Sequence, residues 1–192
     1  MISACAAPAA QSDADVFFTT LQGTLCGRTV TGRVVSDQAV DAEWRGETLS
    51  LGPVACEVSA ITADMPPRAG DAVMVMPLAV GEDASRVWTL RPHPDGVEFR
   101  HFHYEPDGSP SAVTSYGGVN LPGGTAAEQR FPADAATQAV FTENGIARSN
   151  PNIWTLRLDE EAGTLTYALA RPATESDPAR DFRAVFDLDV SD

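Results

Sequence analysis

Arg86-Val87-Trp88-Thr89-Leu90-Arg91-Pro92, the turn His93-Pro94-Asp95-Gly96 and the return Val97-Glu98-Phe99-Arg100-His101-Phe102-His103-Tyr104 read together as a β-hairpin. Two runs rich in β-branched and aromatic residues flank a Pro-Asp-Gly turn, the local chemistry of antiparallel pairing. A four-residue loop sets Arg91 opposite Glu98, Leu90 opposite Phe99, Trp88 opposite His101 and Arg86 opposite His103. Alternation then places Trp88, Leu90, Val97 and Phe99 on one face. That face is apolar and points inward, and it also carries Arg86, His101 and His103. Polar groups therefore enter the interior at one end.

A second hairpin repeats the pattern. Ile153-Trp154-Thr155-Leu156-Arg157 echoes Val87-Trp88-Thr89-Leu90-Arg91, and Leu165-Thr166-Tyr167-Ala168-Leu169 returns after Asp159-Glu160-Glu161-Ala162-Gly163. Trp154, Leu156, Leu158, Leu165, Tyr167 and Leu169 share one face. Near the end of the chain Phe182, Ala184, Phe186 and Leu188 alternate with Arg183, Asp187 and Asp189. Strands are predicted near 27–35, 47–51, 54–61, 72–78, 86–92, 97–104, 111–117, 126–131, 152–158, 164–171 and 182–190, separated by Gly, Pro, Asp and Asn. Helical signals are few. Ser12 and Asp13 can cap a turn carrying Val16, Phe17, Phe18 and Leu21, with Gly23 as its stop; Pro132, Asp134 and Gly145 bracket a second helix at Asp134 to Asn144. The pattern is all-β: an antiparallel barrel of about ten strands with one or two short helices, since closure removes exposed edges, and with a β-sandwich as the alternative. Residues 1–12 read as a terminal tether and 13–192 as a single barrel domain.

Composition narrows the function classes. The 192 residues carry 27 acidic and 13 basic side chains, a formal charge of -14. Such a surface repels phosphate backbones and anionic headgroups, so nucleic acid is not an expected partner. Every basic residue is Arg, which excludes a Schiff-base lysine, a P-loop lysine and a Ser-Lys dyad. No Gly-x-Ser-x-Gly elbow occurs, and the glycines of Tyr116-Gly117-Gly118 and Leu121-Pro122-Gly123-Gly124 lack the strand-to-helix context of a phosphate loop. No apolar run approaches the ~18 residues of a membrane-spanning helix.

Ile2-Ser3-Ala4-Cys5, followed by Ala6-Ala7-Pro8-Ala9-Ala10, resembles a bacterial lipobox. The resemblance implies lipid on Cys5 and an address in the cell envelope, with the membrane touched only through that anchor. With Cys5 so assigned, Cys26 and Cys56 remain, and an even pair in an exported chain favours a disulfide over a catalytic Cys26 or a zinc site. Scattered matches between residues 16 and 190 also resemble a family of uncharacterised exported bacterial proteins. They are Leu25-Cys26-Gly27, Ser85-Arg86-Val87-Trp88, Asp107-Gly108, Thr114-Ser115-Tyr116-Gly117-Gly118, Phe131-Pro132-Ala133-Asp134, Asn152-Ile153-Trp154 and Phe182-Arg183-Ala184-Val185-Phe186-Asp187-Leu188. That resemblance implies secretion and no activity. In architecture alone the chain resembles the calycins, barrels with an internal ligand cavity.

Two uses of the polar mouth follow. Arg86, Trp88, His101 and His103 could bind a small anionic or aromatic ligand without catalysis, Arg86 as a two-pronged donor and Trp88 as a stacking face. Alternatively His101, His103 and Glu105 alternate on one strand face and could hold zinc or iron in a metal-dependent enzyme. A barrel filled by its own side chains, serving a structural or interaction role, is the third reading. No cofactor other than such a metal is implied.

Overall fold

The computed structural model describes residues 10–56, 73–175 and 177–189. Cys5 and most of the proposed tether, and the 57–61 part of the strand expected near 54–61, lie outside the described residues.

Among the described residues ten strands form one continuous antiparallel sheet: β1 (Val30–Val34), β2 (Leu49–Leu51), β3 (Met74–Val80), β4 (Asp83–His93), β5 (Gly96–His103), β6 (Tyr116–Val119), β7 (Glu128–Pro132), β8 (Ile153–Asp159), β9 (Thr164–Arg171) and β10 (Arg180–Asp187). Their spatial order is β6-β5-β4-β3-β2-β1-β10-β9-β8-β7. One sheet curls until its edges β6 and β7 meet, giving a nearly closed barrel rather than a sandwich. At the seam the Asp134 amide donates to the Gly117 carbonyl (3.0 Å) and the Leu121 amide to the Arg130 carbonyl (2.7 Å). Gly118 permits this approach, because a Cβ there would sit 2.0 Å from the Pro132 carbonyl oxygen.

Three short helices accompany the barrel among the described residues. In α1 (Asp13–Leu25), Ser12 and Asp15 form a reciprocal capping box. The helix passes the expected stop at Gly23, and its last residue, Leu25, is fully buried. Phe17, Phe18, Leu21 and Leu25 join the core built by the inward strand residues. Asp134 caps α3 (Ala135–Glu143) through the Thr137 amide (2.8 Å). The third helix, α2 (Ala42–Arg45), follows a 3-10 turn at Ala39–Asp41.

The first hairpin adopts the predicted register, and the second pairs antiparallel with the expected residues on one face. Arg86 pairs with His103, Trp88 with His101, Leu90 with Phe99 and Arg91 with Glu98. Trp154 pairs with Leu169 and Leu156 with Tyr167. Two strands differ from expectation. The segment near 54–61 contributes only isolated bridges at Val54 and Ala55 among its described residues. The strand near 111–117 begins instead at Tyr116, because Ser115 takes a left-handed φ of 56° that no strand accommodates. Cys26 and Cys56 form a disulfide with Cα atoms 5.8 Å apart. It ties the end of α1 to the segment after β2.

Candidate functional site

A cavity of about 450 Å³ opens at the end of the barrel where Arg86, Trp88, His101 and His103 project inward. All four residues singled out in the first hairpin line it. The opposite end, bearing the His93–Gly96 turn, holds a loop-walled hollow shared with the start of α1 and is lined by Asp13, Asp15 and Asp95 among others. That hollow carries no arginine and no large ring, so the chemistry concentrates at the first end.

The cavity floor is aromatic. Trp88 stacks on Tyr167 (centroids 4.4 Å, planes 21° apart) and meets Phe186 edge-on. One face of Trp88 is therefore already covered, and its exposure is only 4%. Trp88 is thus a packed wall of the site. Trp154, Phe182 and Phe141 add to the apolar lining, with Phe141 supplied by α3.

His101 is held between two partners. Its Nδ1 lies 3.2 Å from the Tyr116 carbonyl oxygen and its Nε2 lies 3.1 Å from the Tyr167 hydroxyl. A carbonyl can only accept, so Nδ1 carries the proton and Nε2 accepts from Tyr167. Full burial pushes the imidazole pKa down to about 3 and keeps the ring neutral. His103 lies nearer the mouth, its Nε2 3.0 Å from the Tyr116 hydroxyl. Burial, reinforced by the Arg86 charge, lowers its pKa too. The same desolvation raises both tyrosines well above the usual phenol range.

Glu105 does not join the two histidines. β5 ends at His103, and Glu105 is exposed in a turn closed by the Gly108 amide on its carbonyl (2.8 Å). The two-residue alternation stops before it. Among the described residues no three His, Cys, Asp or Glu side chains are grouped as metal ligands would be. Both His101 nitrogens are occupied by protein groups.

The strap between β1 and β2 forms one lip. Val40, Asp41 and Trp44 line the cavity from it. Asp41 is 2% exposed and accepts from Arg180 and from the Ser36 hydroxyl (2.7 Å). Gln38 fastens the same strap, accepting from Arg180 Nη1 (2.7 Å) and from the Asp181 amide (2.9 Å). Trp44 packs edge-on against Phe182 (5.6 Å), and the Arg86 guanidinium lies 5.0 Å over its ring. Sequence reading overlooked Trp44, Asp41 and Arg180. Asp41 and Arg180 meet only through the fold, being 139 residues apart. Tyr167 carried a readable signal, since the second hairpin puts it on the inward face.

Comparison with protein families, with curated proteins and with solved structures gives no match to this chain. The assignment of a role therefore rests on the site itself.

Proposed function

We propose that this chain is a non-catalytic binding protein of the bacterial cell envelope that takes a small, largely apolar or aromatic molecule into the mouth of its barrel. The observation that carries the reading is the cavity of about 450 Å³. Small-molecule pockets fall at about 300–1,000 Å³ and combine apolar walls with a few placed polar groups. A barrel filled by its own side chains would leave no such space. In that respect the architecture is calycin-like, with the lumen open at one end and packed by α1 residues elsewhere.

The Cys26–Cys56 disulfide supports an oxidising compartment, and the lipobox-like Ile2-Ser3-Ala4-Cys5 supports a lipid anchor at Cys5. The acidic surface is poorly suited to nucleic acid, leaving a small molecule as the natural partner.

Titration with the neutral fluorophore N-phenyl-1-naphthylamine tests the binding reading, because its emission rises in apolar surroundings. Saturable binding is expected, and Ser149→Trp, which places a bulky ring on the cavity rim, should abolish it. No binding, or binding that Ser149→Trp leaves intact, would refute the reading.

A further inference from the structure

We propose that the cavity selects monoanions carrying an apolar body, and that Arg86, not Arg180, is the anchor for the anionic head. This rests on the small-molecule reading above and specifies the ligand's charge.

Two arginines and one carboxylate line the cavity among the described residues: Arg86, Arg180 and Asp41. Arg180 is already committed. Its Nη2 pairs with Asp41 and its Nη1 donates to Gln38, so its charge is neutralised and its fork is filled. Asp41 in turn also accepts from Ser36, so the one carboxylate among the described lining residues is already engaged.

Arg86 is in a different state. Its Nη1 donates to Asp83 (2.6 Å), whose side chain is 51% exposed. Its Nε is buried and has no hydrogen-bond partner among the described residues. The edge formed by Nε and Nη2 is the one that grips an oxyanion with two parallel bonds. An exposed pairing three residues away is a weak hold in water. A modest rotation of the guanidinium would exchange that solvated partner for an oxyanion inside the cavity, where screening is weaker, and would fill the empty donor. His103 and the Tyr116 hydroxyl flank the position, offering a further donor to the same head. The rings of Trp44, Tyr116, Trp154 and Phe182 would then receive the body.

The charge assignment separates from the binding reading with a matched pair of probes. 1-Anilinonaphthalene-8-sulfonate has the ring system of N-phenyl-1-naphthylamine plus one sulfonate. Wild-type protein should bind the sulfonate tighter by roughly tenfold or more, the usual scale for charged hydrogen bonds. Arg86→Gln should erase that advantage, with far-ultraviolet dichroism and a urea melt showing that the variant folds; Arg86→Lys, which keeps charge but not the fork, should restore only part of it. Ser149→Trp should abolish both signals. Equal or weaker binding of the sulfonate by wild type overturns the charge assignment and leaves the binding reading standing. An advantage that survives in Arg86→Gln overturns the anchor. Failure of both probes to bind wild type removes the small-molecule reading and this inference with it.

Discussion

The Tyr167 hydroxyl lies 3.1 Å from Nε2 of His101, bridging β9 to β5 across the barrel interior. With the imidazole neutral the phenol donates to Nε2, and it is burial among apolar walls that keeps the ring neutral. Acid should therefore act on the fold through this ring. The unfolded chain binds a proton near pH 6.5, whereas the folded ring resists until about 3. Between those values the unfolded state holds more protons, so stability falls as pH falls, by up to about 1.4 kcal/mol per pH unit. His103, lowered in the same direction, adds to the slope. Glu98 and Asp134 contribute only at lower pH: burial raises their carboxyls, but the arginines beside them outweigh it and hold both below the usual range. Urea melts of wild type and His101→Gln between pH 7 and 5 check this. The variant should show the shallower pH dependence.

Closure of the barrel depends on the absence of a side chain at residue 118. A Cβ on Gly118 would meet the Pro132 carbonyl oxygen at 2.0 Å, and both atoms belong to backbone. Gly118→Ala should cost about 1–3 kcal/mol, typical of overpacking, and should speed amide exchange across the β6–β7 seam. Gly46→Ala, where a Cβ meets nothing within 4 Å, is the control and should exchange as wild type does.

The strap is held by a charge pair more than by packing. Asp41→Asn leaves Arg180 facing an amide inside a nearly buried site. Removing one partner of such a pair costs about 3–5 kcal/mol when both are buried; with Arg180 at 19% exposure, about 2 kcal/mol is expected. Trp44 should then become more quenchable by acrylamide than in wild type, while near-ultraviolet dichroism from the Trp88 and Tyr167 pair persists.

Reduction of the Cys26–Cys56 bond releases a loop with a sequence separation of 30. Chain-entropy arguments put the loss at roughly 3–4 kcal/mol. A Cys26→Ser, Cys56→Ser double variant should lose that much in urea melts, and wild type in reducing agent should match it.

Where neighbouring residues specify geometry, the fold was legible from the chain. The turn at His93–Gly96 and strict alternation set the β4–β5 register, and the same logic gave β8, β9 and β10. What was not legible is tertiary in origin. The α2 strap has no apolar periodicity and is fixed by Arg180, 139 residues beyond Asp41. Tyr116 begins its strand late because of the backbone at Ser115, which neither composition nor alternation reveals. The inward placement of the two histidines was legible, but the Tyr167 ring covering one face of Trp88 was not, because it is a contact between two hairpins read separately. Glu105 fell outside the pattern because the Asp107-Gly108 turn ends the strand first.

The central claim is a hollow mouth that accepts a small molecule. A crystal structure of the protein grown with 1-anilinonaphthalene-8-sulfonate tests it most directly. The account predicts density for the rings among Trp44, Tyr116, Trp154 and Phe182, with the sulfonate on the Nε and Nη2 edge of Arg86. A lumen closed by its own side chains, or a probe bound only on the outer surface, would contradict it.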